Sequence, residues 1–200
     1  MWKWVAFVLF LIPAFNIDAC PVFPINVSVD RDWIKLCNRD YILYFDNRIN
    51  SAILSIEVVN PDSNTALVRT SFKEDIRIPG RLKNFDNTPG FDRGHIVPAI
   101  NANDVVSMQE TMLSSNLVLQ NERLNRGQWR RLELEIKRLA LAREFPIHVV
   151  NYIQYSDAYL NGIAIPKQFN KHVYINGVLT HCFSAKNDFS NLVEKKRCHN

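Results

Sequence analysis

Several things are missing from this 200-residue chain, and each absence removes a class of protein. No apolar run approaches the roughly 20 residues that a membrane-spanning helix needs, so no stable membrane insertion is expected. There is no internal repeat and no low-complexity tract, which sets aside solenoids and biased linkers. The four cysteines, Cys20, Cys37, Cys182 and Cys198, have neither CxxC nor Cys/His spacing, so nothing points to a zinc site. Charge is not one-sided either. Against 24 Lys and Arg stand 20 Asp and Glu, a net of +4 that is compatible with a polyanionic partner without demanding one.

The first residues have the three-part form of an export signal: Lys3, an apolar run from Trp4 to Leu11, then Pro13 and a more polar stretch ending at Ala19. Cleavage after Ala19 is expected, with an uncleaved anchor or a lipid-modified Cys20 as alternatives. The mature chain, residues 20–200, has the length and the apolar content of one globular domain, secreted or periplasmic. Four cysteines in an exported chain favour disulfides. Three pairings are possible, and Cys20–Cys37 with Cys182–Cys198 is favoured because each staples one end of the domain.

Along the chain, "YILYFD" from Tyr41 and "SAILSIEVV" from Ser51 read as two strands joined by the turn "NRIN". A third strand is expected through "ALVRTSF" from Ala66, then a long ordered loop from Pro79 to Gly90. "VVSMQETMLS" reads as a short helix. "NRGQWRRLELEIKRLALARE" reads as the main helix, with Trp129, Leu132, Ile136 and Leu139 forming an apolar stripe and Arg130, Arg131, Lys137 and Arg138 on other faces. After Pro146, "IHVVNYI" reads as a strand, and Asn176-Gly177 between apolar runs signals a hairpin. The expected class is α+β, an antiparallel sheet with helices.

The stretch "FDRGHIVPAINAND", residues 91–104, sets Asp92, Arg93, Gly94 and His95 in a turn-like setting. Cleaving a phosphodiester with water requires a base, a positive centre for charge building on phosphorus, and help for the departing oxygen. A neutral histidine, a hard cation and basic side chains supply all three. A histidine beside Asp and Arg is by itself weak evidence, because such a group is commonly structural.

A second segment, Thr111 to Glu133, contains Ser115, Asn116, Gln120, Leu124, Asn125, Trp129, Leu132 and Glu133 in uninterrupted register. Together the two segments resemble the DNA/RNA non-specific endonuclease family, whose members carry DRGH followed by an "SN…Q…LN…W..LE" pattern. Asn125 follows His95 by 30 residues and Glu133 lies eight further on, as in the family. "SFKEDIRIP" from Ser71 and "IAIPKQFNKHVYING" extend the resemblance across most of residues 41–185. Leu119 stands where many members have proline, and a Thr-Gly-Pro common in the family is absent, which leaves the preference between DNA and RNA open.

The resemblance implies a ββα-metal active site. His95 would be the general base, Asn125 the direct ligand of a magnesium ion (Mg2+, with Mn2+ as a substitute), and Glu133 a ligand through water. Arg93 would contact phosphate, and Lys137 would be a basic group near the leaving side; a solvated helix charge is the equal alternative for Lys137. If Asn125 and Glu133 shared one continuous helix, eight residues would separate them by about 12 Å along its axis, too far for both to bind one ion directly. Asp92 is expected to order its surroundings, Trp129 to be core, and Arg69 and Lys73 to be solvated or part of a basic surface. DNA and RNA are the implied substrates, with 5′-phosphate products. The alternatives are a phosphodiesterase acting on nucleotides or other small phosphodiesters, and a nucleic-acid-binding relative without catalysis.

Overall fold

The structure, a computed structural model, describes residues 20–61 and 67–198. The expected signal segment, residues 1–19, and His199 lie outside the described residues. Seven strands form one antiparallel sheet in the order β1-β2-β3-β6-β7-β8-β9. They are β1 (Ile34–Cys37), β2 (Tyr41–Asp46), β3 (Ser51–Val59), β6 (Ile147–Leu160), β7 (Ile163–Ile175), β8 (Val178–Lys186) and β9 (Val193–Lys196). Sequence order equals spatial order, so the sheet is a meander interrupted once, between β3 and β6, where Val59 pairs with Ile147.

Turn chemistry sets the register of the long strands. Asn176-Gly177 joins β7 to β8, and Asn161-Gly162 joins β6 to β7; all four residues have positive φ, as a two-residue hairpin of the right twist requires. Alternation along the strands then makes two apolar faces. One carries Leu43, Phe45, Val149, Phe169 and Val173, and packs against Trp129, Leu132, Ile136 and Ala140. The other carries Leu54, Ile56 and Val150, covered by Phe23, Ile25 and Val27 from the N-terminal segment. Cys20 pairs with Cys37 and Cys182 with Cys198, with Cα separations of 5.0 and 5.5 Å. These pairs tie the covering segment to β1 and the edge strand β9 to β8.

Everything between β3 and β6 builds on this platform. β4 (Phe91–His95) and β5 (Leu117–Asn121) pair in a two-stranded antiparallel ribbon separate from the main sheet. Between them lies α1 (Val105–Thr111), capped by Asp104. After β5 come a single turn α2 (Glu122–Leu124), a five-residue π-helical segment (Asn125–Trp129) and α3 (Arg130–Leu141). The result is a ββα unit in an α+β fold.

Three sequence expectations change here. The residues expected as a strand before Phe72 form none among the described residues; Lys73 alone makes a bridge, to Leu113. The DRGH segment is a strand instead of a turn-like loop, because residues 91–95 find β5 as a partner. The main helix is broken at Gly127 (φ −101°, ψ −118°) and stops at Leu141, ahead of Pro146.

Arg81 stitches the insertion to the sheet. It is 1% exposed, and its guanidinium donates to the carbonyls of Asn50 (3.1 Å), Leu117 (2.7 Å) and Ser114, lying 4.8 Å from the Phe85 ring centroid. Burial pulls its pKa down to about 10. Arg81→Met would strand these carbonyls in a dry interior, so we expect a loss of about 3 kcal/mol or more from 1–3 kcal/mol per orphaned group. Urea unfolding of the variant checks this; an unchanged midpoint would refute it.

Candidate active site

The ββα unit brings His95, Arg93, Asn125 and Glu133 to the wall of one cavity of about 750 Å³. On β4 the two-residue period puts Arg93 and His95 on one side and Gly94 on the other, opposite Val118 of β5. Gly94 is needed for closeness: a Cβ there would lie 2.4 Å from Gln120 Oε1 and 2.5 Å from Gln120 Cβ. Just past His95 the backbone is locked by Asn116. Its carbonyl accepts from Ile96 N (3.0 Å), its Oδ1 accepts from Val97 N (2.9 Å), and its Nδ2 donates to the carbonyls of Val97 and Thr111, both at 2.9 Å.

His95 Nε2 has no hydrogen-bond partner among the described residues. Its ring stacks obliquely on Phe72, 5.4 Å between centroids, and Phe72 also lies 5.7 Å from the Arg93 guanidinium. Burial first, then the positive charge of Arg69, pushes the imidazole pKa down to about 4. The ring is therefore neutral at physiological pH, and a neutral imidazole has one nitrogen able to accept a proton.

Asn125 opens the π-helical segment. Its Nδ2 donates to Asp92 Oδ2 at 2.8 Å, which leaves Oδ1 as the amide atom that Asp92 does not engage. Asp92 also accepts from Arg126 through both carboxylate oxygens, so its ordering role extends to the helix that carries Asn125. Glu133 lies on α3 beyond the break at Gly127, so its spacing from Asn125 is not that of one continuous helix. Its carboxyl pKa is pushed up to about 7, mainly by burial and also by Glu57, while Lys171, 3.9 Å away, opposes the rise. Arg93 pairs with Asp86 at 2.8 Å.

Lys137 is placed elsewhere. It is 2% exposed and absent from the cavity wall, with Glu57 and Asp40 as charged neighbours that offset part of its burial. It is neither a solvated helix charge nor within the group that lines the cavity. Trp129, as expected, is core.

Arg69, Arg126 and Arg130 line the cavity with Arg93. Arg126 adjoins Asn125 and Arg130 stands three residues before Glu133 on α3, positions that could have identified both. Arg69 and Phe72 come from an irregular segment, and nothing local in the sequence marks them. Four arginines against Asp92 and Glu133 give the wall a positive excess suited to phosphate.

Among the described residues no group of three or more His, Cys, Asp or Glu is placed to hold a metal. A hard cation that keeps most of its waters does not need one: an amide oxygen with a carboxylate in the outer shell is a sufficient donor set for magnesium. Asn125 and Glu133 fit that requirement.

The α+β fold has a counterpart among solved structures. It matches the solved structure titled "Crystal structure of the EndoG/EndoGI complex: Mechanism of EndoG inhibition", with a TM-score of 0.67 and 24% identity over 83% of this chain and 76% of that chain. At that identity the likeness establishes the fold alone. No curated protein matches by sequence. The profile of the DNA/RNA non-specific endonuclease family matches residues 24–192, and the chain belongs to that family.

Two expectations follow. Lys137→Gln removes a buried charge from among acidic neighbours, so it should cost about 3–5 kcal/mol of stability while leaving KM for a polymeric substrate within twofold; a raised KM at unchanged stability would contradict the placement. His95 has a folded pKa below its unfolded value of 6.5, so the unfolded chain binds more protons between about pH 4 and 6.5. Its stabilising contribution is full above that window and lost as pH falls through it. The stability difference between wild type and His95→Asn, from urea unfolding, should shrink from pH 7 to pH 4; a flat difference would count against it.

Proposed function

We propose that the chain is an exported, magnesium-dependent endonuclease that hydrolyses DNA and RNA with little sequence preference and leaves 5′-phosphate ends. The observation that carries this is the convergence on one cationic cavity of a neutral histidine and an asparagine whose amide nitrogen is already tied to Asp92.

In this reading the neutral His95 imidazole takes a proton from the attacking water as the water oxygen bonds to phosphorus, and the P–O3′ bond breaks with the departing O3′ taking a proton from solvent water. Arg93 meets the non-bridging phosphate oxygens, where charge builds in the transition state. Asn125 Oδ1 would hold the magnesium ion directly and Glu133 through water, and the bound ion would supply positive charge for the phosphate and the departing oxygen. Manganese would substitute, having similar oxygen preferences. Arg69 and Arg130 share the wall with Arg93 and replace Lys137 as the further phosphate contacts. Since these contacts go to phosphate, base sequence goes unread. The paired cysteines are compatible with an extracellular setting, and no helix among the described residues is long and apolar enough to cross a membrane.

The test is cleavage of supercoiled plasmid and of RNA by residues 20–200, with magnesium or EDTA, beside His95→Ala. Loss of both polymers is expected only for wild type with magnesium, with the variant slower by at least about 100-fold. Activity confined to dinucleotides would point to a small-substrate phosphodiesterase, and salt-sensitive binding without turnover to a non-catalytic relative.

A further inference from the structure

The loop between β8 and β9, residues 187–192, lies behind the segment that carries Asn125 and is bonded to it on both sides. Asn187 Oδ1 accepts from Asn121 N at 2.7 Å, and Asn187 Nδ2 donates to the carbonyls of Leu119 (3.0 Å) and Pro166 (2.8 Å). Asn191 Oδ1 accepts from Gln128 N at 2.8 Å. The first contact fixes the end of β5, where the Asn121 side chain caps the turn leading to Asn125. The second falls just past Gly127, where the helix is broken and a backbone donor loses its regular helical partner.

Shape matches the bonding. A Cβ on Gly127 would meet the Asn191 side chain at 2.3–2.7 Å, so glycine at 127 and asparagine at 191 occupy one space. Asn191 itself has φ of 51°, a left-handed conformation that asparagine tolerates better than most residues. The loop adds Phe189 beneath the Arg123 guanidinium at 5.6 Å, and Asp188 orders it internally by accepting from Ser190 N at 2.9 Å. Its ends are held by the β8–β9 ladder and by the Cys182–Cys198 pair.

We propose that Asn187 and Asn191 are positioning residues: through the backbones of Asn121 and Gln128 they set where the Asn125 carboxamide stands in the cavity. This rests on the reading of Asn125 as the residue that holds a divalent ion. Neither asparagine touches substrate. Asn191 gives Gln128 N the acceptor that a continuous helix would have provided, and Asn187 anchors the end of β5 from which the turn to Asn125 starts, so the π-helical segment keeps one geometry. Supporting shells of this kind are commonly worth 10- to 100-fold in metal affinity.

The experiment is Mn2+ titration followed by electron paramagnetic resonance, without substrate, on wild type, Asn191→Ala, Asn191→Asp and Asn187→Ala, with hydrogen exchange of residues 122–129 in parallel. Asn191→Ala and Asn187→Ala should bind Mn2+ about tenfold more weakly and exchange faster at 122–129, with strands β6 and β7 as protected as in wild type. Asn191→Asp retains the acceptor and should behave as wild type. Wild-type Mn2+ binding in Asn191→Ala, or equal loss in Asn191→Asp, would overturn the proposal while leaving the nuclease reading intact. If one alanine variant fails to fold, the other carries the comparison. A wild-type protein that neither binds Mn2+ nor cleaves plasmid would overturn the nuclease reading, and the positioning role with it.

Discussion

A lysine in the middle of a sheet has to find acceptors or the fold does not close, and Lys171 is such a residue: on β7 and 1% exposed. Its Nζ donates to Asn151 Oδ1 at 2.6 Å, faces Glu133 at 3.9 Å and lies 5.2 Å from the centre of the Trp129 ring. Asn151 Nδ2 in turn donates to Glu57 Oε1 at 2.9 Å, and the other Glu57 oxygen accepts from Asn101 at 2.9 Å. Three sheet strands, the chain after β4 and the helix after β5 thus meet in one largely buried polar network. Ions removed from water need good partners on every side, since each carries a desolvation penalty of several kcal/mol. Glu133, 3.9 Å from Lys171, is thereby tied into the network from the cavity side.

The same electrostatics serves two ends at the cavity. Burial of the ring disfavours a proton on His95, and Arg69, one of the arginines that make the wall attractive to phosphate, adds to this. A histidine in a cationic site is thereby kept in the form that accepts protons. Glu133, by contrast, is drawn toward its neutral form by burial and by Glu57. Two titratable groups in one cavity are pushed in opposite directions by the same dry surroundings, because burial penalises whichever form is charged.

Much of this was readable in the chain. Strands β2 and β3 have the bounds that their apolar runs suggested, and Asn176-Gly177 makes the expected hairpin turn. The motif residues between Ser115 and Leu132 have identifiable structural tasks: Ser115 bonds Asp75 at 2.6 Å, Asn116 locks the backbone after His95, and Leu124, Trp129 and Leu132 are core. What escaped depended on partners distant in sequence. Residues 91–95 have no strand pattern of their own and become a strand because β5 lies beside them. Ala66 lies outside the described residues, and residues 67–72, though β-forming in type, join no ladder among the described residues. Lys137 fits a solvated helix pattern, and only the packing of α3 over Glu57 buries it. The break at Gly127 is fixed by Asn191, far along the chain.

The interruption of the meander between Val59 and Ile147 also has a bearing on how the molecule reaches its native state. Hairpins β1–β2–β3 and β6–β7–β8–β9 join neighbours in sequence, whereas the β3–β6 seam must close over the whole insertion. Closure entropy rises only slowly with loop length, by about 0.6 kcal/mol per doubling, so the seam is slow to find but cheap to hold. The two halves of the sheet are separate local units along the chain, and the residues that line the cavity, from Leu67 to Leu134, all belong to the insertion between them. A chain built this way carries its chemistry on the one segment whose two ends the sheet must bring together.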